Sequence, residues 1–431
     1  MTFIREIISF FTFSEPNVKV VFLGSLILCA ISGLVGTFTF LRKRSLIGDV
    51  ISHAVLPGIA LAFIIGHQKN VLYLIIGATI TGWISTYLVE YITRHSKIKS
   101  DTAIALILSV FFGIGVLLLT HIQHTGAGSQ SGLDQFIFGR ASAMNQSDIV
   151  LFGSVGIVIL VLTLIFFRGF SILSFDEGYA NAIGFPIAWL KLILSIITVI
   201  TVAMGVQAVG VVLMSALLIT PAAAARFWTN KIHILAILAV LFASISGIIG
   251  SAVSYTYNGM PTGPWIVVIV SLLAFLSAII GSKTGILKSW NLRRRNNVKI
   301  LKENTIKLFY ALNSEQPDNS GFQFSEIAEN ARMENTTLRS GLKLLRKEGW
   351  LIGNDRQGYQ TTEEGKREAR AIVRKHRLWE LYISKYMHLQ PDHVHDDAEG
   401  IEHVITPEIE RELEEQLDFP KLDPHNSEIP Y

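Results

Sequence analysis

Residues 18–44 read VKVVFLGSLILCAISGLVGTFTFLRKR, an apolar run of more than twenty residues closed by Arg42, Lys43 and Arg44. A helix needs about 20 apolar residues to cross the hydrocarbon of a bilayer, so the run predicts a membrane span over 18–40. The same test applied outward predicts eight more spans, at 50–66, 71–93, 102–121, 149–167, 187–204, 206–225, 232–256 and 265–285. Gly205 is nearly the sole separator of the sixth and seventh. Cations follow the odd spans: Arg42–Arg44 after the first, Arg94, Lys97 and Lys99 after the third, Arg226 and Lys231 after the seventh, Lys283 and Lys288 after the ninth. The opposite loops are poor in Lys and Arg, so the cation-rich ends are expected in the cytoplasm and the N-terminus outside.

Beyond Arg293 the pattern reverses: charges become dense and no long apolar run occurs. The whole chain of 431 residues is 50% hydrophobic and 16% charged, against about a quarter charged in soluble proteins. The expected organisation is an interfacial segment 1–17, a transmembrane domain 18–287, a basic linker 288–300, a winged-helix domain 301–365 and a helical domain 366–431. Residues 1–16 hold acids and Pro16 with no small-residue cleavage site, so they read as a lead-in to the membrane, not a cleaved signal. Cys29, the single cysteine, lies inside an apolar run, which excludes an internal disulfide framework and a cysteine-based metal site. A net charge of +3 is too small to argue for a nucleic-acid partner. No P-loop, GxSxG or HExxH occurs, so ATP handling in any pump falls to another chain.

Ionisable groups inside a membrane are costly and are functional candidates by default. The sharpest pair lies in SLIGDVISHAVLPGIA, residues 45–60, where Asp49 and His53 stand four apart. On a helix that spacing puts both on one face. A carboxylate and an imidazole suit a first-row divalent cation such as Mn, Fe or Zn, and Pro57 and Gly58 open the backbone within a turn. The bland reading is an Asp–His hydrogen bond that packs two helices. Glu90 and Asp101 sit beside Arg94, Lys97 and Lys99, where solvated pairing is expected, and His121 and His124 read as interfacial. Gln207, Thr220 and Pro221 fall in a Gly/Ala-rich span, where packing is the default. Residues 125–147 form either an outer loop or a re-entrant hairpin. SILSFDEGYANAIGFP, residues 171–186, is either a short surface helix on the cytoplasmic side or a connecting loop.

In the polar third, ENTIKLFYALNS, FSEIAENARM and NTTLRSGLKLLRKEGWL predict three helices, and IGNDRQGYQTTEEG a two-stranded wing. Arg339, Lys343 and Arg346 lie on the helix that would enter a DNA groove; the same fold also serves as a protein-docking module. Further on, His376 and Glu380 share a face at i and i+4. His395, Glu399, Glu402 and His403 follow at i, i+4, i+7 and i+8 in DHVHDDAEGIEHVI, which aligns them on one helix face as candidate metal ligands.

Two resemblances rest on these stretches. LRKRSLIGDVISHAVLPGIALAF, LDQFIFGRASAMNQSDI, FDEGYANAIG and VGVVLMSALLITPAAAARF resemble the membrane subunit of ATP-binding-cassette importers for manganese, zinc and iron. That resemblance implies a homodimeric or paired pore, cytoplasmic ATPase subunits and an extracytoplasmic metal-binding receptor. It also places Asp49 and His53 on the metal pathway, and implies that 174–186, with Asp176, Glu177 and Gly184, couples to the ATPase. HRLWE, then HVHDDAEGIEHVI, FP, PH and IP resemble the iron- and manganese-dependent repressors of the diphtheria-toxin-repressor class. It implies that Glu399, Glu402 and His403 match primary regulatory ligands, and that His376, Glu380 and His395 match ligands of that class's metal sites. The chain departs from the class where its first helix would donate ligands: these places fall near Asn304 and Lys307, and a charged lysine has no lone pair.

The expectation is therefore an all-α polytopic membrane bundle of about nine spans, followed by an α-rich cytoplasmic winged helix and a helical metal-sensing and dimerisation domain. The permease needs no cofactor; a divalent metal is its substrate and the regulatory ligand. The rival reading is a membrane-anchored, metal-dependent transcription regulator, with DNA as the less favoured partner. A third is a scaffold whose inert winged helix drives dimerisation.

Overall fold

The structure, a computed structural model, describes residues 9–13, 16–42, 46–66, 70–124, 144–256, 260–316, 321–331, 333–387, 401, 403 and 405–431, without the side chains at 16, 207, 208 and 387. It divides into two compact units, Met1–Ser289 and Trp290–Tyr431.

The first unit is helical. Its elements are α1 (Pro16–Leu41), α2 (Ile47–Gly66), α3 (Val71–His95), α4 (Ser100–His124), α5 (Gln146–Ile165), α6 (Phe167–Phe175), α7 (Glu177–Ala182), α8 (Ile187–Val209), α9 (Val211–Arg226), α10 (Ile232–Thr256) and α11 (Thr262–Ile280). Among the described residues, eight helices are long and apolar enough to cross a membrane. The seventh expected span, 206–225, corresponds to a shorter apolar helix, α9, of 16 residues. Gly205 does not divide it from its predecessor. The break falls at Gly210, whose φ of 90° belongs to the region glycine tolerates. Gly205 lies inside α8, where a Cβ would stand 2.3 Å from Met214 Sδ.

Small residues bring these helices together. A Cβ at Gly36 of α1 would stand 1.7 Å from the Leu218 carbonyl oxygen of α9. At the crossing of α2 and α3, a Cβ at Gly58 would lie 2.2 Å from the Gly77 carbonyl oxygen, and one at Gly77 2.4 Å from that of Gly58. Apolar side chains gain little by leaving lipid for one another, so close backbone approach and interhelical hydrogen bonds hold such bundles. One such bond joins Ser251 Oγ of α10 to Ser25 Oγ of α1, 2.8 Å apart and buried. Of the expected interfacial segment, Phe10 is buried against Phe22 and Tyr255. The loop-or-hairpin alternatives for 125–147 fall almost wholly outside the described residues.

The second unit holds all but the first four residues of α12 (Ile286–Glu315), then α13 (Phe324–Asn330), α14 (Asn335–Glu348), β1 (Leu351–Asn354), β2 (Gly358–Thr361), α15 (Glu363–Met387) and α16 (Pro407–Gln416). Residues 288–300, expected as a linker, are helical and form the exposed first half of α12. The antiparallel wing pairs Leu351 with Thr361 and Asn354 with Gly358. Its core is Ile306, Phe309 and Leu312 of α12 against Leu338, Leu342 and Leu345 of α14. Those positions recur at i, i+3 or i+4, i+6 or i+7, the single apolar stripe of a half-buried helix. Gly349, in the left-handed region at φ 80°, ends α14 and turns the chain into the wing.

Candidate functional site

Asp49 lies in the first turn of α2, where the positive end of the helix dipole favours a carboxylate. His53 follows one turn later, and both side chains are half-buried. The ring of His53 meets the edge of Phe112 on α4, centroids 4.9 Å apart at 83°. Among the described residues His53 Nδ1 is buried with no hydrogen-bond partner. The pair is thus not the hydrogen-bonded helix clip of the bland reading. Pro57, four residues on, has no N–H, so the His53 carbonyl also loses its partner within the helix. One turn of α2 therefore offers a carboxylate, an imidazole nitrogen and a released main-chain oxygen. These are hard-to-borderline donors of the kind first-row divalent cations accept.

A second cluster stands beside the same helix. A small cavity is lined by Thr39, Arg42, Ile47, Ile51, Glu90 and Lys191 among others, and Glu177 joins Glu90 and Lys191 around the adjoining cleft. Lys191 Nζ contacts Glu177 of α7 and lies 4.0 Å from Glu90 of α3, whose second partner is Arg94 at 2.8 Å. The Glu90–Arg94 pairing was expected from the sequence; Lys191 was not. Its signal was a lone cation in the first turns of an otherwise apolar helix; Glu177 is 14 positions away, while Glu90 lies on a helix distant in sequence.

Residues 171–186 resolve into the end of α6, then α7. Asp176 caps α7 by accepting from Tyr179 N at 2.9 Å. Gly184, φ 82°, takes the positive-φ turn after α7. Phe175, Tyr179 and Ile183 are exposed along this segment.

In the second unit the candidate ligands separate into two groups. His376 and Glu380 on α15 are buried, 4% and 2% exposed, with His376 Nε2 3.0 Å from Glu380 Oε1. The other ring nitrogen, Nδ1, lies 3.1 Å from Lys307 Nζ on α12. An ammonium can only donate. Nδ1 therefore accepts, the ring proton sits on Nε2, and that proton goes to Glu380. Neither nitrogen keeps a lone pair for a metal, so this pair does not fit a divalent cation. His403 differs: its Nδ1 lies 2.6 Å from Glu303 Oε2, so Nδ1 donates to a carboxylate, the arrangement that orients a metal-binding histidine through its opposite nitrogen. His395, Glu399 and Glu402 lie outside the described residues. Among the described residues no three His, Cys, Asp or Glu side chains converge as a metal cage.

On the would-be recognition helix, Arg339 donates to Asp355 of the wing at 2.7 Å and its guanidinium lies 4.0 Å from the Phe324 ring centre. The Arg339 hydrogen bond holds the Asp355 carboxyl below the usual carboxylate range. Arg339, Lys343 and Arg346 are all exposed, and of the three Arg339 is paired with the wing.

A bundle of membrane-length helices with ionisable groups on α2, joined to a winged helix, defines a transport-type membrane subunit with an appended domain. Residues 14–281 match the ABC 3 transport family, and the chain belongs to that family. Residues 362–431 match the iron dependent repressor, metal binding and dimerisation domain. The chain is 36% identical over 379 residues to the manganese transport system membrane protein MntC of Bacillus subtilis, covering 87% of this chain and 86% of that one. It is 41% identical over 291 residues to the zinc transport system membrane protein TroC of Treponema pallidum, covering 68% and 97%. Among solved structures it is similar to PsaBC from Streptococcus pneumoniae in complex with Fab, at 33% identity and a TM-score of 0.59, covering 65% of this chain and 99% of that one.

Proposed function

We propose that this chain is the permease subunit of an ATP-driven importer for a divalent transition metal, Mn, Zn or Fe, and that its C-terminal unit regulates the importer. The observation that carries the reading is the turn Asp49–His53, with a buried Nδ1 that has no partner among the described residues and a carbonyl released by Pro57. Relatives named for manganese and for zinc support the substrate class without choosing within it. The ion is received from an extracytoplasmic metal-binding receptor, passes Asp49 and His53 in a pore made with a second permease chain, and enters the cytoplasm. ATP is hydrolysed on separate cassette subunits that dock on 174–186, where Phe175, Tyr179 and Ile183 offer an apolar face. The chain sits in the plasma membrane with its N-terminus outside and 290–431 in the cytoplasm. The regulatory metal is held through His403, with His395, Glu399 and Glu402 as its expected partners.

The membrane-anchored transcription regulator is the weaker reading, because the transport family spans 14–281 and Arg339 is tied to the wing. The test is reconstitution in vesicles with the partner ATPase. ATP-dependent accumulation of Mn(II), inhibited by Zn(II) or Fe(II) in competition, is expected; the absence of accumulation of any of the three refutes the reading.

Lys191 gives a second expectation. It links α7, on the ATPase side, to α3, which crosses α2 at Gly58–Gly77. Lys191→Glu places three carboxylates in one partly buried cluster. Transport per folded molecule should fall several-fold, and the double variant with Glu177→Lys should recover part of it. Unchanged transport in Lys191→Glu vesicles would remove Lys191 from the coupling route.

A further inference from the structure

Lys307 reaches the imidazole ring that faces the buried Glu380. Glu303 and Lys307 stand four apart on α12 and so share a face. Glu303 reaches His403 and Lys307 reaches His376. Lys299, one turn earlier, adds a bond to the His403 carbonyl at 2.7 Å. A buried carboxylate at 2% exposure is strongly disfavoured unless paired. Here the charge of Lys307 is relayed through the His376 ring, which accepts on one nitrogen and donates on the other.

We propose that Lys307 takes the place of a metal ion at the His376–Glu380 half of the regulatory domain. α12 is thereby clamped to α15 at all times, and metal sensing is confined to the His403 half. The substitution has a simple chemical logic. A ligand position filled by an ammonium turns an ion-dependent tie between two helices into a permanent one. The domain keeps the architecture of a two-part sensor and senses with one part. The regulatory signal then depends on occupancy at His403 alone, where Glu303 on the same face of α12 transmits it to the winged helix.

The test uses the purified full chain in detergent with Mn(II) as the probe, counting ions bound per chain by equilibrium dialysis. Uptake is not the readout, so the import reading stands or falls separately. Glu380→Gln is isosteric, and its amide oxygen still accepts from the His376 ring, so the fold should hold. Its Mn(II) stoichiometry should equal that of the unaltered chain, with affinity within about twofold. Loss of an ion per chain, or a loss of affinity of about tenfold or more as expected at a true metal site, would overturn the proposal. Lys307→Glu replaces the ammonium by a third metal-compatible side chain beside His376 and Glu380 and should add an ion per chain. A folded Lys307→Glu chain that binds no more Mn(II) than the unaltered one would also overturn it.

Discussion

Asp49→Ala and His53→Ala should each lower metal uptake by at least about 100-fold while the protein still reaches the membrane and unfolds near its original temperature. The magnitude follows from coordination chemistry. Changing a group that merely orients a metal ligand costs about 10–100-fold in affinity or activity, and a direct ligand should cost no less. Stability should change little for His53, because its Nδ1 makes no hydrogen bond among the described residues that the substitution could break. The packing-clip reading predicts the reverse: lowered stability, with normal uptake per folded molecule. Radioactive Mn(II) uptake, normalised to the permease recovered from membranes, separates the two. Asp49→Asn sharpens the comparison. It keeps shape but removes the charge that holds a divalent ion, so it should resemble Asp49→Ala in uptake and stay close to the unaltered chain in stability. Normal uptake in both Ala variants would take the pathway away from α2 and with it the chemical basis of the proposed function.

Much of this architecture was legible because membrane spans are written in composition. An apolar run of the right length has few alternatives, since every backbone polar group in lipid must be satisfied inside the segment. The expected span 232–256 coincides with α10, and 18–40 with all but the ends of α1. The break between α8 and α9 was harder. Gly205 and Gly210 are equally glycine in sequence, and only the backbone reveals that Gly210 takes the positive φ while Gly205 is wedged against Met214. In the second unit, the helix–turn–helix was legible in FSEIAENARM and NTTLRSGLKLLRKEGWL and the wing in IGNDRQGYQTTEEG; the buried stripe of Leu338, Leu342 and Leu345 and the left-handed Gly349 are what the structure adds.

The sites were legible in part. Asp49 and His53 stood out because charge in an apolar run is rare. Their separation from one another in hydrogen bonding, and the contact with Phe112, depend on side-chain rotamers that no spacing rule supplies. The spacing put His376 and Glu380 on one helix face and His395, Glu399, Glu402 and His403 on another. What α12 presents to them, Lys307 to His376 and Glu303 to His403, was not legible. Both partners lie about 70 to 100 positions away in sequence. Helical periodicity reports which residues share a face of one helix; it is silent on what the next helix presents to that face.

The second large effect concerns the support of α2. Gly58→Val should destabilise the bundle by about 1–3 kcal/mol or more, the range for overpacking a close-packed interior. The upper end is expected here. The first obstacle is the Gly77 carbonyl oxygen at 2.2 Å from the new Cβ, and a backbone atom in a helix cannot swing aside as a side chain can. Thr81 Oγ1 at 2.3 Å closes the other direction. Gly77→Val meets the mirror problem, its Cβ 2.4 Å from the Gly58 carbonyl oxygen, and should behave alike. Gly113→Ala on α4 is the control: its Cβ meets nothing within 4 Å, and removing a helical glycine should be neutral or stabilising by up to about 1 kcal/mol. Thermal unfolding of the purified variants in detergent reads both directions at once. Gly58 lies five residues beyond His53, and prying α2 from α3 also displaces the turn that carries the metal donors. Uptake in Gly58→Val should therefore fall further than its folded fraction accounts for. A Gly58→Val protein as stable as the control would mean that α2 and α3 do not cross at these glycines, and the placement of Asp49 and His53 would have to be rebuilt from another helix contact.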